Sequence, residues 1–377
     1  MMKIGVLKEP TPDKRVALLP AGVKSLTEMN VSVLVESTSG AGSYADDGAY
    51  RSAGASIVDR GEILKEASIV IKINPPTPEE IHALREGTVL IGILQPFAYP
   101  SMIKELARKN ITSFSLDFIP RTTRAQTMDV LSSMATIAGY KAVILAASHL
   151  PSFFPMFMTA AGTITPAKVL VLGAGVAGLQ AIATARRLGA VVEAFDVRSA
   201  VKEEVESLGA KFIEVKGAKD EEDAGGYAVE QTKEFLLRQK QLIHHHAVKS
   251  DVIITTAQIS GREPPKLISK ETVRAMKPGS VIVDLAASTG GNCELTKKNE
   301  TIVENGVTII GEPNLPETMP VDSSKMLTKN IFNFLKLLIE EGGLHLNFED
   351  EIVKGTCITH GKAIVNDRIK EYVEKRD

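Results

Sequence analysis

Cysteine and tryptophan are scarce in this sequence of 377 residues, which has two cysteines, Cys293 and Cys357, and no tryptophan. Two cysteines without a CxxC spacing cannot form a disulfide framework, and they favour a protein of the reducing cytoplasm. The first residues contain no apolar stretch followed by a small-residue cleavage site, so we expect no export signal. An isolated cysteine is usually a small buried side chain, and we assign neither one to catalysis.

An excess of charge of either sign is missing as well. Lysine and arginine number 44 against 46 aspartates and glutamates, which gives a formal net charge of -2. Because no strongly basic surface is available to neutralise phosphates, we expect no nucleic-acid partner. The apolar stretch at residues 142–147 is far shorter than the roughly 20 residues that cross a bilayer, so we also expect no membrane span.

Hydrophobic residues, at 44%, suffice for large buried cores, and short β-branched runs alternate with helical segments in two series. The strands that we predict are residues 3–7, 31–36, 69–73, 89–93 and 112–115 in the first series, and 169–172, 191–196, 211–215, 252–256, 281–284 and 307–310 in the second. This alternation predicts an α/β protein with two Rossmann-like, doubly wound parallel-sheet domains.

Two long helical segments join the two series. Residues 129–150 end before Pro151, and residues 322–341 begin with Asp322 and end at a pair of glycines, as capping preferences favour. We therefore expect the chain to leave its first domain, build the second and return. The expected domains are a discontinuous N-terminal domain of residues 1–130 plus 322–377 and a nucleotide-binding domain of residues 131–321.

A glycine-rich turn follows the first strand of the second series. The GxGxxG run consists of Gly173, Ala174, Gly175, Val176, Ala177 and Gly178, directly before a helical segment. The first glycine allows a tight turn, the second lets the backbone approach a pyrophosphate, and the third lets helix and strand pack closely. The helix N-terminus adds N–H groups and partial positive charge, so this run predicts dinucleotide binding.

A carboxylate ends the next strand, 18 residues after Gly178, where it can accept hydrogen bonds from an adenosine ribose. This residue is Asp196, and its charge favours NAD(H) over NADP(H) because it repels a 2′-phosphate. Val197 and Arg198 follow it. Arg198 offers a charge that would compensate for such a phosphate, so the preference for NAD(H) is not settled by Asp196 alone.

Two loops are rich in functional side chains. Residues 121–133 include Arg121, Gln126, Asp129 and Ser132, whose groups hydrogen-bond amides, riboses and phosphates. An equally simple interpretation is a capping loop, with Asp129 at a helix N-terminus and Arg121 in a surface ion pair.

The second loop, residues 217–227, is acidic and ends in Gly225, Gly226 and Tyr227. It is either a solvated surface loop or a lid, in which the glycines act as a hinge and the tyrosine ring covers a ligand.

Other polar residues are interpreted more simply. Lys8, Glu9, Arg15 and Lys72 lie near strand ends of the first series, where each alone is most often a surface charge. The adjacent histidines at 244–246 cannot all face one ion and have no suitably spaced partner, so we predict no metal site.

The whole chain resembles the alanine dehydrogenase and nicotinamide nucleotide transhydrogenase superfamily. The resemblance rests on KE(x5)RVALLP from Lys8 to Pro20, on Lys72, on the glycine turn with Asp196, and on the KPGSVIVD run at residues 277–284. The two branches of this family differ in chemistry. An alanine dehydrogenase moves protons as well as a hydride, and therefore needs a general acid or base beside the nicotinamide.

The resemblance places the acid–base residues of that branch, a histidine and an aspartate, at Gln95 and within residues 286–291, where this sequence has no titratable side chain. Hydride exchange between two nicotinamides needs no proton donor, only two rings held together with water excluded. The transhydrogenase branch thus implies that Arg121, Asp129 and Ser132 hold the NAD(H) nicotinamide and ribose. It also implies that Gln126 reaches toward a second nucleotide and that Tyr227 closes over the first.

The resemblance also implies an assembly. This chain would be the NAD(H)-binding component of a proton-translocating transhydrogenase, with NADP(H) on a partner component and further components spanning the membrane. A homodimer with contacts along the helix at residues 130–150 is expected. The expected location is cytoplasmic, with peripheral association to the cytoplasmic (inner) membrane through partner subunits. The alternatives are a self-contained amino-acid dehydrogenase of the alanine type and a non-enzymatic NAD-sensing module.

Overall fold

The computed structural model describes residues 2–215, 232–258 and 263–375. The chain divides into two compact units. The first unit consists of Met1–Met134 and Glu317–Asp377, and the second unit consists of Ala135–Pro316. The chain passes from the first unit to the second within a long helix and returns after Pro316.

The strands, numbered along the chain, are β1 (Lys3–Val6), β2 (Ser32–Glu36), β3 (Ser56–Val58), β4 (Ile69–Ile71), β5 (Val89–Gly92), β6 (Thr112–Ser115), β7 (Phe157–Thr159), β8 (Gly162–Ile164), β9 (Lys168–Leu172), β10 (Val191–Phe195), β11 (Lys211–Ile213), β12 (Val252–Thr255), β13 (Val281–Asp284), β14 (Thr301–Glu304), β15 (Val307–Ile310), β16 (Ile339–Glu340), β17 (Gly343–Leu344), β18 (Cys357–His360) and β19 (Ala363–Ile364).

The α-helices are α1 (Pro20–Thr27), α2 (Asp47–Ser52), α3 (Arg60–Glu66), α4 (Pro78–Ala83), α5 (Pro100–Arg108), α6 (Val130–His149), α7 (Val176–Arg187), α8 (Lys202–Ser207), α9 (Lys233–Ala247), α10 (Lys270–Ala275), α11 (Pro320–Leu335), α12 (Glu351–Thr356) and α13 (Asp367–Glu374). The sequence at the start of α4 favours a helix there: the helix begins at a proline after Thr77, whose side chain forms a capping box with Glu80.

The first unit is built on an eight-stranded sheet in the order β19-β18-β6-β5-β4-β1-β2-β3. The six strands from β1 to β6 are parallel, while β18 and β19 add an antiparallel edge from the returning segment of the chain. The central strands are buried on both faces, and β4 and β5 contain no exposed residue. This burial explains why they are continuous apolar runs in the sequence.

The second unit contains a seven-stranded sheet in the order β11-β10-β9-β12-β13-β15-β14. Its first six strands are parallel, and β14 pairs antiparallel with β15 at the edge. Numbered along the chain, the parallel strands have the order 3-2-1-4-5-6, the doubly wound arrangement of dinucleotide-binding domains. The predicted α/β class with two Rossmann-like parallel sheets is confirmed.

One predicted helix is too long. The segment expected to be helical to residue 341 begins at Pro320 and ends at Leu335. Beyond it, Ile339 pairs with Leu344 in a short antiparallel hairpin, in which Gly342 has a φ of +75°. Glu341 and Gly342, both with positive φ, therefore turn this hairpin, and Gly343 lies in its second strand, so the glycines do not cap the helix.

Helix α6 is longer and more apolar than the stretch at residues 142–147 suggested. It is long and apolar enough to cross a bilayer by length and composition, and it is the one such helix in the described ranges of the chain. The apolar run was underestimated because Lys141 and the small residues around it interrupt the run without making the helix polar. Ala142, Val143 and Ala146 of this helix are fully buried in the core of the second unit.

Helix α6 approaches the first turn of α7 at a glycine. A Cβ atom added to Gly139 would lie 2.1 Å from the carbonyl oxygen of Ala177 and 3.1 Å from its Cα. These are backbone atoms, which cannot rotate away as the end of a side chain can. A larger residue at position 139 must therefore push α6 away from the helix that follows the glycine turn.

We expect Gly139→Ala to destabilise the protein because one methyl group overpacks this contact. The loss should be about 1–3 kcal/mol, which lowers the midpoint of thermal unfolding by roughly 2–10 °C. Calorimetry measures the shift.

The matched control is Gly355→Ala in α12, where the nearest atom to the added Cβ, Pro120 Cδ, is 3.9 Å away. This helical position has room for a methyl group, so the control should keep or raise the midpoint. Equal midpoints for wild type and Gly139→Ala would show that α6 does not pack as described.

Candidate nucleotide-binding site

The turn from β9 into α7 requires glycine at two positions. Gly173 has a φ of +104°, and a Cβ there would lie 2.5 Å from Thr256 Oγ1. A Cβ on Gly178 would lie 1.8 Å from the carbonyl oxygen of Gly173. Any side chain at position 178 would therefore separate the helix from the strand that precedes it.

Gly175 differs from the other two glycines. It precedes the first residue of α7, and no described atom lies within 4 Å of the position that its Cβ would occupy. No side chain caps this end of the 12-residue helix. The amides of the first turn, around Val176 and Ala177, therefore have the direction and partial positive charge that suit a phosphate.

Asp196 lies beside this turn with its carboxylate fully engaged. Its Oδ2 accepts hydrogen bonds from Ala174 N at 2.7 Å and Arg198 Nη2 at 2.8 Å. Its Oδ1 accepts from Arg198 N and Arg198 Nε, both at 2.9 Å. Burial alone would raise the pKa of the Asp196 carboxyl, but the bonds and charge of Arg198 outweigh burial and lower that pKa.

A carboxylate has about four lone-pair positions, and Asp196 uses four with protein donors. A ribose hydroxyl can bond to this group only by replacing one of the donors. The Arg198 side chain is the donor able to rotate away, because Ala174 N and Arg198 N belong to the backbone. Val197, which lies between Asp196 and Arg198 in sequence, is half-buried against the core of the second unit.

The segment after β12 also borders the glycine turn, although no functional residue was predicted there from the sequence. Thr256 Oγ1 donates to the carbonyl oxygen of Gly173 at 3.0 Å. Ala257 is held by the buried Asn292, whose Oδ1 accepts from Ala257 N at 3.0 Å and whose Nδ2 donates to Ala257 O at 2.8 Å. The signal was available in the sequence, since strands next to the reversal of strand order carry the ligand-binding loops.

Asp284 organises the neighbouring loop from a fully buried position. It accepts hydrogen bonds from the hydroxyls of Thr255 and Thr296, at 2.8 and 2.7 Å, and from the amides of Ala286 and Cys293, both at 3.0 Å.

Burial raises the pKa of the Cys293 thiol to about 11. The thiol is therefore protonated at neutral pH and is a poor nucleophile.

In the first unit, residues 121–129 form a compact loop whose interior is apolar, and residues 130–133 are the first turn of α6. A 3-10 helix covers Thr123–Met128. Because this helix has about three residues per turn, Ala125 and Met128 lie on one face, and both are buried. Arg121 and Gln126 are exposed.

Asp129 and Ser132 bond to each other at the start of α6. Asp129 Oδ1 accepts from Ser132 N at 2.9 Å, and Asp129 Oδ2 accepts from Ser132 Oγ at 2.5 Å. This is the geometry of a helix N-cap. The two side chains therefore stabilise the helix start, and together they present oxygen atoms that can also meet a ligand.

Gln95 follows β5 in a strained conformation. Its φ is +48°, which is uncommon for a residue with a side chain, and the side chain is exposed. The nearby Asp117 accepts a hydrogen bond from Ser115 Oγ, which in turn accepts from Leu94 N at 3.1 Å. Burial, opposed by hydrogen bonds, raises the pKa of the Asp117 carboxyl. Asp117 therefore supports the turn that carries Gln95.

Three of the four expected surface charges of the first unit are buried, so that prediction is wrong for Glu9, Arg15 and Lys72 and holds only for Lys8. The Glu9 carboxylate accepts from the amides of Ile73 and Asn74, at 2.5 and 3.1 Å.

The two buried cations are paired with carboxylates. Lys72 Nζ lies 2.5 Å from Glu80 Oε2. Arg15 forms a two-point pair with Asp13, with Nε–Oδ1 3.0 Å and Nη2–Oδ2 2.7 Å, and Glu317 lies 3.6 Å away. Their charges are thus balanced within the protein, and a substrate carboxylate would have to displace these partners.

The three adjacent histidines have separate partners. His244 bonds to Thr272, His245 to Lys249 and His246 to Glu193. Within the described ranges, no group of three or more metal-ligating side chains is present. The predicted lid at residues 217–227, with Gly226 and Tyr227, lies outside the described residues.

Comparisons with known proteins agree with this architecture. Two family models match, the N-terminal domain of alanine dehydrogenase/PNT over residues 5–138 and its C-terminal domain over residues 142–367. A similar relative is the protein of Rhodospirillum rubrum that forms the first portion of its NAD(P) transhydrogenase subunit alpha. It is 45% identical over 376 residues, which cover 97% of this chain and 98% of that protein.

Further relatives represent both branches. The NAD(P) transhydrogenase subunit alpha of Haemophilus influenzae is 44% identical over 368 residues, covering 96% of this chain and 72% of that protein. The alanine dehydrogenase of Staphylococcus epidermidis is 28% identical over 350 residues, covering 90% of this chain and 88% of that protein.

A crystal structure of a transhydrogenase from Sinorhizobium meliloti superposes with a TM-score of 0.88 at 44% identity, covering 96% of this chain and all of that one. An L-alanine dehydrogenase structure shares the fold, with a TM-score of 0.84 at 24% identity and full coverage of both chains. The chain belongs to the alanine dehydrogenase/PNT family of oxidoreductases and is a homologue of the alpha subunits of NAD(P) transhydrogenase.

Proposed function

We propose that this chain is the NAD(H)-binding component of a proton-translocating NAD(P) transhydrogenase. A hydride would pass directly between NAD(H) bound here and NADP(H) bound to a partner component. The observation that carries this proposal is the exposed Gln95 on its strained turn. An enzyme that oxidises an amine needs a general acid or base beside the nicotinamide, and the resemblance places one such residue at position 95. The amide side chain of Gln95 cannot take up or release a proton.

The reaction itself needs no proton donor or acceptor. When NADH transfers a hydride to NADP+, the products are NAD+ and NADPH, so no proton is released or taken up. The protein's task is to hold the nucleotide, orient its ring and exclude water. The carboxylates near the carboxyl ends of the strands are engaged by protein donors, in keeping with chemistry that needs no base.

In the second unit, the glycine turn and the first turn of α7 would bind the pyrophosphate, with Gly173, Ala174, Gly175, Val176, Ala177 and Gly178 as the contact residues. Asp196 would accept the ribose hydroxyls once the Arg198 side chain rotates away, with Val197 beside it. Gly226 and Tyr227 would cover the bound nucleotide, as the family resemblance implies. Asp196 carries the preference for NAD(H), because its charge repels a 2′-phosphate.

In the first unit, Arg121, Asp129 and Ser132 would hold the nicotinamide and its ribose, and Gln126 would reach toward the second nucleotide. The exposure of Arg121 and Gln126 supports these roles. The mutual bonds of Asp129 and Ser132 fix the oxygen atoms before a ligand arrives, which reduces the entropy lost on binding.

The assembly that we propose is a homodimer attached to the cytoplasmic side of the membrane through partner components that bind NADP(H) and translocate protons. Helix α6 supports a contact between copies, because Leu131 and Tyr140 on it remain 48% and 40% exposed in the single chain. Apolar side chains of this size are typical of subunit interfaces.

Gln126→Asn tests the proposed function. Reconstituted with an NADP(H)-binding component, the wild-type chain should transfer a hydride from NADPH to an NAD analogue. The shorter amide should slow this transfer by about ten-fold or more, because small misplacements are costly at near-attack distance. The affinity for NADH, measured by calorimetric titration, should change less than two-fold.

Gln241→Asn, at an exposed position of α9, is the matched control and should change neither quantity. A large loss of NADH affinity in Gln126→Asn would place Gln126 in the pocket of the first nucleotide. Reduction of NAD+ by L-alanine with the chain alone would instead establish the alternative, an alanine-type dehydrogenase.

The paired side chains of Asp196 and Arg198 generate a second prediction. Asp196→Asn should weaken NADH binding by roughly ten-fold, since a charged hydrogen bond is worth about 1.5–3 kcal/mol. The same variant should strengthen NADPH binding, because the Arg198 guanidinium is no longer neutralised and can pair with the 2′-phosphate.

The double variant Asp196→Asn with Arg198→Ala separates the two residues. It should lose the gain in NADPH affinity while keeping the loss in NADH affinity. Titrations of both nucleotides into the wild type, Asp196→Asn, Arg198→Ala and the double variant give the coupling between the residues. An equal gain in NADPH affinity with and without the arginine would show that the preference lies in Asp196 alone.

A further inference from the structure

The returning segment of the chain, Glu317–Asp377, holds the loop of residues 121–133 at two points on either side of Gln126. On one side, the Arg124 guanidinium bonds to Asp350 at the start of α12. On the other side, the carbonyl oxygen of Thr127 accepts from Asn330 Nδ2 on α11. These contacts join residues more than 200 positions apart in sequence.

The pair of Arg124 and Asp350 is geometrically specific. Nη1–Oδ2 is 2.6 Å and Nη2–Oδ1 is 2.8 Å, so two parallel bonds fix both planes. The same Asp350 Oδ1 accepts from the amides of Ile352 and Val353, which caps α12. The hydrogen bonds of Arg124, and to a smaller extent the α12 amides, hold the pKa of the Asp350 carboxyl at about 2.

The contact at Thr127 is more deeply buried. Asn330 is 6% exposed, and its Nδ2 lies 2.8 Å from Thr127 O. Asn333, one turn further along α11, donates to the same oxygen at 3.3 Å. Together with buried Ala125 and Met128, these bonds fix the backbone on both sides of Gln126 while its side chain remains exposed.

We propose that Asp350 and Asn330 are positioning residues for hydride transfer, which hold the loop backbone so that the exposed Gln126 side chain meets the second nucleotide. We call Arg124, Asp350, Asn330 and Asn333 the C-terminal clamp. This inference rests on the proposed function. It also gives a physical role to the return of the chain, because α11 and the cap of α12 supply every anchor in the clamp except Arg124.

Two variants weaken the clamp without threatening the fold. Asp350→Asn removes the charge yet keeps a good helix cap, since asparagine caps about as well as aspartate. Arg124→Lys keeps the charge but loses the two-point geometry. Arg124 is exposed and Asp350 is partly buried beside it, and an ion pair that water still reaches contributes little to stability. The matched control is Arg274→Ala, because Arg274 forms a comparably exposed pair with Glu304 in the second unit.

The measurement is the rate of hydride transfer from NADPH to an NAD analogue in the reconstituted complex, beside NADH affinity and the thermal midpoint. Asp350→Asn and Arg124→Lys should each lower kcat by about five- to ten-fold, because the reacting groups lose alignment. NADH affinity should stay within about two-fold and the midpoint within roughly 3 °C. Arg274→Ala should change none of the three.

A double variant tests whether the clamp acts through Gln126. In the Gln126→Asn background, Asp350→Asn should lower the rate by less than about two-fold more, since groups that act as a unit are not additive. Multiplicative losses, or a wild-type rate in both clamp variants, would overturn the clamp while leaving the proposed function standing. Absence of transfer by the wild-type complex would overturn both.

Discussion

The close approach of Gly178 to the carbonyl of Gly173 is the constraint on which the second unit depends. The chain must leave a strand whose last four residues are buried and enter a helix within three residues, and a Cβ at position 178 would lie 1.8 Å from that oxygen. The same turn receives Thr256, which follows β12, and aligns the helix against Gly139 of α6. No side chain caps the start of α7, so the amides of its first turn remain available to a ligand.

Each unit also engages carboxylates with the protein's own donors. Asp196 is bonded by Arg198, Asp284 by two threonines, and Glu80 by Lys72. Such groups are costly to bury without partners. Once paired, these three carboxylates are poorly suited to accept a proton from a substrate. The hydride exchange that we propose requires no proton acceptor, so this pairing is consistent with it.

The sequence was sufficient to predict the central strands, because strands buried on both faces are continuous apolar runs. It failed at edges, because the partly exposed β3 and β14 have weaker patterns. It also failed after Leu335, where Glu341 and Gly342 turn a hairpin in place of the expected longer helix. The pairing of Arg15 with Glu317 and of Arg124 with Asp350 was inaccessible because each partner is distant in sequence. The roles given to Arg121, Gln126 and Tyr227 remain predictions.

Isotope labelling distinguishes direct hydride transfer from transfer that exchanges protons with water. NADH carrying deuterium at both C4 positions is mixed with this chain, its NADP(H)-binding partner component and NADP+ in ordinary water. Direct transfer predicts that each NADPH formed carries one deuterium at C4. NADPH without deuterium at C4, its transferred hydrogen having come from the solvent, would contradict direct transfer.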